Sequence, residues 1–384
     1  MLAYNTAHLK NRDLRTAAEE ACRKGYIPEE TLQTVKAQLP DPLYTPNMFV
    51  RIGLFLLTAI IQLAFAGLML LMTDGNGVEG MLFITGLIAY GILEFFVRSG
   101  HYRSGVDDAL LWGSIGFMYG SLLAMLSHVE GGTALWLLLP FLLLGIIRFK
   151  DTFCTALLLV NLAAIIVWYC SQMGDAGMAA APFIVLVGSG LGLWMVVRSE
   201  KSWHHSLYSN CWHVAKSVLL LLLYAAGNVY MIGEVANHMD APMPAGSPVA
   251  TGFFWLWTVL IPFAYIGWGI RKKDRIILDA GLLLIAAVVF TVRYYYSIMP
   301  LEQVMVLGGL VLVSLAAWLI RYLKTPKKGF TYEVIPDDTP EWAKRQIESL
   351  IIAETMARPA AVAPEQGFEF GGGQSGGGGA SSSY

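Results

Sequence analysis

The chain has little charge for its length and few cysteines. Of its 384 residues 14% are charged, the net charge is −2, and 56% are hydrophobic. A protein that binds nucleic acid needs a basic surface, and this composition gives no basis for one. The four cysteines have no paired spacing, so the sequence does not predict a disulfide framework.

Motifs for catalysis and cofactor binding are missing as well. There is no phosphate-cradling G-x-x-x-x-G-K-[ST], no H-E-x-x-H and no G-x-S-x-G placed on a strand-to-helix turn. His204, His205, Cys211 and His213 are of types that ligate zinc, but their spacing matches no recognised structural site. We therefore expect no metal and no cofactor, and enzymatic activity has no positive support.

What the sequence has instead is a series of long apolar stretches. A helix needs about 20 mostly apolar residues to cross roughly 30 Å of hydrocarbon. We predict an all-α, polytopic helical membrane protein with about ten transmembrane helices, and the mean hydropathy of +0.56 agrees with that class. The predicted spans are Phe49 to Met72, Met81 to Val97, Ala109 to Ser127, Thr133 to Ile147, Thr152 to Tyr169, Ala181 to Val197, Val214 to Ile232, Phe253 to Ile270, Ile276 to Tyr294 and Val304 to Ile320.

Lys and Arg residues fall in alternate gaps between these spans. Basic residues are retained on the cytoplasmic side of a membrane, so the gaps that carry them should be cytoplasmic. The other gaps have none, apart from Arg293 at the outer end of the ninth span. The pattern predicts an inner-membrane protein with both termini in the cytoplasm. The basic residues of the gaps are Arg98, Arg103, Arg148, Lys150, Arg198, Lys201, Arg271, Lys272, Lys273 and Arg275.

The chain is expected to begin with two short helices. The first has an apolar stripe and stops near Gly25, and the second starts at Pro28, followed by two acids that suit a helix N-terminus. Two such helices bury too little surface alone, so the pair should dock on the membrane domain, on a second copy or on a partner. The predicted regions are a cytoplasmic helical domain at 1–46, a transmembrane domain at 47–323, a cytoplasmic segment with an amphipathic helix at 324–358 and a flexible Gly- and Ser-rich tail at 359–384.

Two stretches resemble known bacterial proteins. The pattern AAEEACRKGYIPEET, followed by a membrane domain of this size, resembles a broad bacterial group of multi-span membrane proteins of unknown function with a short helical N-terminal domain. The stretch DRIILDAGLLLIAAVVFTVRYYYSIMPLEQVMVLGGLVLV is similar to the last helical pair of such proteins. The tail FGGGQSGGGGASSSY is similar to the Gly-rich endings of some proteins that carry a TPM domain, which this chain lacks. The resemblance implies a membrane protein and transfers no catalytic residues.

Ionisable residues inside the predicted spans are candidate functional residues, because a charge within a bilayer costs about 3 kcal/mol or more. Glu94 lies near the cytoplasmic end of the second span, Lys216 just inside the seventh and Asp279 just inside the ninth. Two interpretations stay open. Their side chains reach interfacial water or a neighbouring charge, or the three gather at the cytoplasmic entrance of a proton or ion path.

Polar and small residues deeper in the spans have a structural interpretation. Asn161 and Asn228 are expected to hydrogen-bond across helices. Gly113, Gly116 and Gly120 recur on one side of the third span, where close helix packing explains them.

A cluster at the outer end of the ninth span is the most distinctive extracytoplasmic feature. Arg293 is followed by three tyrosines, Tyr295 among them, and then by Glu302. An Arg among aromatic rings can bind an anionic or lipid headgroup. Tyrosines are also common at membrane interfaces, and Glu302 can simply neutralise Arg293.

These features favour a membrane scaffold or sensor that engages partners through its cytoplasmic ends. Its expected partners are the lipid bilayer and a protein that binds the C-terminal tail. The alternative is a small-solute, ion or lipid transporter, since ten spans permit two five-helix halves. An intramembrane enzyme is a third class, supported only by scattered polar residues. The sequence does not specify the oligomeric state.

Overall fold

The computed structural model describes residues 2–296 except 24, 73–76, 127–130, 200–207 and 240–247, together with isolated positions between 303 and 321. Within these residues the chain is all-α. The predicted amphipathic helix at 324–358 and the tail lie outside them. The helices are α1 (Thr6–Arg23), α2 (Glu29–Gln38), α3 (Met48–Met72), α4 (Val78–Arg98), α5 (Val106–Met125), α6 (Gly131–Phe149), α7 (Thr152–Gln172), α8 (Gly174–Ser199), α9 (Ser209–Ala225), α10 (Val229–His238), α11 (Pro248–Lys272) and α12 (Arg275–Tyr295).

Among the described residues, seven helices are long and apolar enough to cross a membrane: α3, α4, α6, α7, α8, α11 and α12. The bent pair α9 and α10 makes an eighth if it counts as one span. The third predicted span is present as helix α5, but its two acids and its small polar residues leave it outside this set. More than half of the tenth predicted span lies outside the described residues, and the described positions within it are helical. The chain is thus a multi-pass helical membrane protein, and the count of ten stays a prediction.

Successive helices pack as antiparallel neighbours. The closest pairs are α4 with α5, α6 with α7 and α11 with α12, and α9 joins the middle of the chain to the end by packing on α7, α8 and α12. Large apolar side chains cover the outside, such as Phe49, which is 87% exposed. An apolar outer surface suits helices that contact lipid tails rather than water.

The N-terminal helices form a small cluster that docks on the bundle. Ala17, Ala18 and Ala21 of α1 are buried against Leu32 and Val35 of α2. Helix α1 ends at a left-handed glycine, with φ +75° at Gly25, and α2 follows Pro28 as its N-cap. The backbone then attaches to the bundle, because Ala3 N–H donates to the Arg148 carbonyl at 2.9 Å. The N-terminal helices thus dock on the membrane domain, which is one of the three docking surfaces expected.

The seventh predicted span is not continuous. Helix α9 ends at Ala225 and α10 begins at Val229, and the two axes meet at 81°. Asn228 caps α10 by accepting the Met231 N–H, and its amide donates to Tyr224 Oη and to Thr291 Oγ1 on α12. Asn228 therefore does bond across helices, as predicted, but from a break rather than from the middle of a span.

Two other interior predictions have mixed outcomes. Asn161 on α7 donates to the Leu135 carbonyl of α6 at 3.0 Å, which confirms an interhelical bond. Gly113 lies against the Gln62 side chain of α3, where a Cβ would collide. Gly116 and Gly120 meet no described atom within 4 Å of a Cβ, so close packing explains only the first glycine of the series.

Candidate functional site

One end of the bundle contains a polar cleft with a volume of about 320 Å³. It lies where the starts of α3, α5, α7 and α9 meet, beneath the N-terminal segment. Three cations and three carboxylates line it, and an aromatic wall faces them. The charged residues of the lining are Arg51, Arg103, Asp107, Asp108, Lys150 and Asp151.

Asp107 organises the turn between α4 and α5. Its carboxylate accepts the backbone N–H groups of Arg103, Ser104 and Gly105, at 2.7, 2.8 and 3.1 Å, as well as the Ser104 hydroxyl. The Tyr4 hydroxyl donates to the same carboxylate at 3.3 Å. Asp107, at the second position of α5, is therefore satisfied by backbone and side-chain donors of the turn that precedes the helix. Its role here is to hold the turn and to fasten the N-terminal segment to it.

Asp151 does the same for the turn between α6 and α7. It caps α7 by accepting the Cys154 N–H at 2.6 Å, and it accepts Trp112 Nε1–H at 3.2 Å. The preceding residue, Lys150, has φ +57°, a left-handed conformation that costs energy for a side chain with a Cβ. This backbone geometry directs the chain from one helix into the next and leaves Lys150 beside the cleft.

Asp108 is bound by a cation rather than by backbone groups. Arg51 of α3 donates to its Oδ2 from both Nε and Nη2, at 3.1 and 2.5 Å. This pair joins α3 to α5 at the rim of the cleft. Each of the three carboxylates thus has donors supplied by the fold.

The remaining two cations of the lining, Arg103 and Lys150, are in no ion pair with a carboxylate among the described residues. The Arg103 guanidinium donates to the Asn210 side-chain oxygen at 3.1 and 3.3 Å when that amide is oriented to face it. Lys150 has neither a hydrogen bond nor an ion pair from its ammonium within the described part of the chain. Burial lowers the pKa of Lys150, because the charged ammonium loses hydration, although Asp13 and Cys211 oppose the shift.

Helix α1 supplies the roof of this region. Burial raises the pKa of Asp13 to about 6, since desolvation outweighs the attraction of Lys150, Arg12 and Arg103. Arg12 lies over the Tyr102 ring at 5.3 Å from its centroid. Burial also raises the pKa of Tyr4 and of Tyr102, which keeps both phenols neutral as hydrogen-bonding groups.

The opposite wall of the cleft is apolar. Trp112 packs on Phe55 and on Phe153, with ring centroids 5.2 and 4.5 Å apart. Ala156 and Val214 continue this wall along α7 and α9. Phe153 is 48% exposed, so the wall extends to the outer surface of the bundle. The cleft therefore combines charges at the bundle end with an apolar side.

The three ionisable candidates within the spans end in three different ion pairs. Glu94 on α4 accepts Arg148 Nε of α6 at 2.5 Å and the Tyr90 hydroxyl at 3.0 Å. Lys216 on α9, nearly buried, contacts Asp274 at 2.5 Å. Asp279 is exposed and lies 3.5 Å from Arg275, one turn earlier on α12. These three pairs agree with the interpretation in which each charged side chain reaches a neighbouring charge. They agree less well with a common entrance to a proton or ion path.

The outer candidates lie at the other end of the bundle. Arg293 is half-buried in the last turn of α12, and Tyr295 donates to the Val229 carbonyl at 3.4 Å while its ring packs on Trp255. Glu302 lies outside the described residues. The aromatic rings here thus pack on one another and on α10 and α11.

Sequence reasoning missed Asp107, Asp108, Asp151 and Arg51 as members of one site. Each stands at the start of a span, where it reads as an ordinary capping or interfacial charge. The available signal was that three of the gaps rich in Lys and Arg carry an Asp within a few residues of a basic residue, in RSGVDD, FKDT and KKDR. In the described residues, no group of three or more His, Cys, Asp or Glu is placed to hold a metal ion, and the Cys211 thiol is directed to the Lys150 carbonyl at 3.2 Å.

No protein-family model matches the chain, and comparison with curated proteins and with solved structures likewise finds no match. The resemblance to a bacterial membrane-protein group therefore stays a prediction.

Proposed function

We propose that this membrane protein is a scaffold or sensor of the inner membrane that engages partners through the bundle end containing the cleft, and that this end faces the cytoplasm. The distribution of basic residues supports the orientation, because the turns at this end are the ones that carry Lys and Arg. Both termini then lie on the cytoplasmic side, where the N-terminal helices and the tail are accessible to soluble proteins.

The observation that carries the proposal is the attachment of the N-terminal segment to the turns that line the cleft. Ala3 bonds to the end of α6, Tyr4 bonds to Asp107, and Asp13 interacts electrostatically with Lys150. A change in the cleft therefore acts directly on the contacts that hold α1 and α2 in place. This coupling is what a sensor requires, namely two arrangements of one element that a site can bias.

The ion pairs favour a static bundle over a proton path. Two of the ion pairs join residues that are distant in sequence. Glu94 and Arg148 are 54 residues apart, and Lys216 and Asp274 are 58 residues apart. Carboxylates in such pairs are bound to a fixed cation rather than arranged along a continuous path for protons. Their position at helix ends also differs from the midplane sites typical of transporters.

One observation favours the alternative, a small-solute, ion or lipid transporter. The 81° break between α9 and α10 exposes helix ends to a buried polar group of Asn228, Thr258 and Thr291, and broken helices are a common feature of transport sites. The break has its own satisfied capping bonds, however, and α9 is long enough to place it towards the outer end of the bundle.

The scaffold proposal is tested by affinity purification from native membranes in mild detergent, with mass spectrometry of what co-purifies. We would compare the full chain, a chain truncated after Arg358, and Ala18→Glu, which disrupts the fully buried contact between α1 and α2. Thr16→Glu, at an exposed position of the same helix, is the matched control. We expect a specific protein partner to be lost in the truncated chain or in Ala18→Glu and retained in Thr16→Glu. Identical partner sets in all four samples would contradict the proposal.

The transporter alternative has a separate test in proteoliposomes. A transporter of protons or cations should dissipate an imposed gradient and should lose this activity in Glu94→Gln or Asn228→Ala. A scaffold should leave the gradient intact with the unmodified chain.

A further inference from the structure

In the part of the chain that the structure describes, the fold provides binding partners for the carboxylates around the cleft but provides no carboxylate for two of its cations. Asp107 accepts backbone N–H groups of the turn before α5, Asp151 accepts one from the first turn of α7, and Asp108 is bound by Arg51. Their acceptor oxygens are thus occupied by backbone donors and by one guanidinium. Arg103 and Lys150 are left facing the cleft without a carboxylate in an ion pair, among the described residues.

Lys150 is the strongest indication of an anion-binding site. Its ammonium is partly buried, and the left-handed backbone at this residue holds it beside the cleft. Burying an ammonium without a hydrogen-bonded counter-ion is unfavourable, so such a group is usually paired. Arg103 also has a left-handed backbone, with φ +51°, and borders the same space. Two cations that line one cavity, with no carboxylate in ion-pair distance among the described residues, form a candidate anion site.

The shape and the apolar wall narrow the class of anion. A volume of about 320 Å³ is at the lower end of the range for small-molecule sites, roughly 300 to 1,000 Å³, and is larger than a single water or halide needs. A tetrahedral phosphate can accept from Arg and Lys simultaneously, and Tyr102 and Thr152 are further polar groups of the lining. The apolar wall of Trp112, Phe153 and Ala156 runs from these charges towards the lipid-facing surface.

We infer that the cleft binds a phosphate-bearing ligand, held by Arg103 and Lys150 with Arg51 at the rim. The phosphate belongs to the headgroup of an anionic phospholipid of the cytoplasmic leaflet or to a soluble phosphate compound. This ligand is the signal of the proposed sensor, and in that respect alone the inference rests on the proposed function.

Occupation of the cleft competes with an electrostatic interaction of α1. Asp13 interacts with Lys150 and Arg103, the two cations that the phosphate needs. A bound phosphate replaces that attraction and repels the ionised carboxylate. The same competition predicts that removing the carboxylate in Asp13→Asn strengthens binding.

The test measures binding of two probes to the full chain in detergent, by native mass spectrometry and by the shift of the thermal unfolding midpoint. The probes are dioleoyl-phosphatidylglycerol and inorganic phosphate. The variants are Lys150→Asn and Arg103→Asn, because Asn tolerates a left-handed backbone and carries no positive charge. The matched control is Lys273→Asn, which removes a lysine with the same φ of +57° from the turn before α12, outside the cleft. Lys150→Arg keeps the charge and checks that a loss is not due to misfolding.

We expect binding by the unmodified chain, by Lys273→Asn and by Lys150→Arg. Lys150→Asn and Arg103→Asn should bind at least about tenfold more weakly. Asp13→Asn should bind more tightly than the unmodified chain. Binding of phosphatidylglycerol alone identifies a lipid headgroup as the source of the phosphate, and displacement of the lipid by inorganic phosphate identifies a soluble one. The inference is overturned if neither probe binds, or if folded Lys150→Asn binds as well as Lys273→Asn. Partner loss in the affinity purification is measured independently, so failure of the two proposals can be told apart.

Discussion

The turns before α7 and before α12 share one local design and have different surroundings. In each, a lysine with φ +57° precedes an aspartate that caps the next helix, Lys150 with Asp151 and Lys273 with Asp274. Asp274 also receives the nearly buried ammonium of Lys216, whereas Asp151 receives only neutral donors. Lys273 is exposed, whereas Lys150 lies half-buried at the cleft. The comparison shows that a Lys-Asp pair specifies a turn, while neighbouring helices decide whether its charges stabilise the fold or remain for a ligand.

The largest expected effect is at Asp274. Asp274→Asn removes the carboxylate from Lys216, whose side chain is 7% exposed, and truncating one partner of a buried ion pair costs about 3 to 5 kcal/mol. We expect a large fall in the thermal unfolding midpoint of the purified protein in detergent. Asp274→Asn combined with Lys216→Met should recover part of it, because no buried charge is then left without its carboxylate. A fall of the same size in the double variant would show that the pair is not what stabilises this turn.

The next largest effect on stability is expected from substitution of the glycines that precede the two turns. A Cβ at Gly269 would lie 2.7 Å from the Leu278 backbone nitrogen, whereas a Cβ at Gly145 would lie 2.6 Å from the Cys154 sulfur. Backbone cannot move aside as a side chain can, so Gly269→Ala should be destabilising by about 1 to 3 kcal/mol and Gly145→Ala by less. Denaturation midpoints of the two variants measure the difference. Equal losses would mean that both turns are packed equally tightly.

A smaller effect is expected at Asp151. Asp151→Asn keeps an acceptor for the Cys154 N–H and the Trp112 indole, so it loses only the charge contribution, about 1 kcal/mol. The measurement is the same unfolding midpoint, compared directly with that of Asp274→Asn. If Asp151→Asn were the more damaging of the two, the distinction between the turns drawn above would be wrong.

The last difference is a pH dependence at Asp13 of α1, which interacts electrostatically with Lys150 of the cleft turn. The pKa of Asp13 is raised to about 6 by burial, above its ordinary value of 3.8. A raised pKa means that the folded state holds the proton more tightly, so this contribution to stability is present below pH 3.8 and is lost as the pH rises through about 6. Asp13→Asn should therefore gain stability relative to the unmodified chain between pH 4 and 7. A constant difference across that range would contradict the burial of Asp13 against Lys150, Arg103, Arg12 and Asp41.

Local sequence signals predicted the elements well. The apolar stripe of α1, the start of α2 after Pro28 and the interhelical bond of Asn161 all depend on residues close in the chain or on burial in a span. The bend at Asn228 was not predicted, because Gly227 and Asn228 stand within an apolar stretch that reads as one helix. There, the Trp257 ring lies where a Cβ of residue 227 would be, which only the packing of α11 reveals.

The cleft was not predicted as a site, because none of the candidate residues chosen from the sequence is among those that line it. Charge alternation correctly implied that the basic turns share one end of the bundle, because hairpins of spanning helices must alternate. Glu94 and Lys216 were singled out for lying within spans, yet they end in ion pairs. Lys150 and Arg103 were noted only as topology markers, since a basic residue in a short loop looks the same whether it faces water or a cleft.

The sequence by itself determined that this chain forms apolar helices joined by turns of alternating charge, because hydrophobic length and basic loops act locally and independently of the fold. Only the tertiary structure decided which charges meet. Asp107 and Tyr4 are 103 residues apart, and Arg51 and Asp108 are 57 apart. Pairs so distant are selected by how helices pack, and packing also determined that Asp107, Asp108 and Asp151 are satisfied while Arg103 and Lys150 face an open cleft.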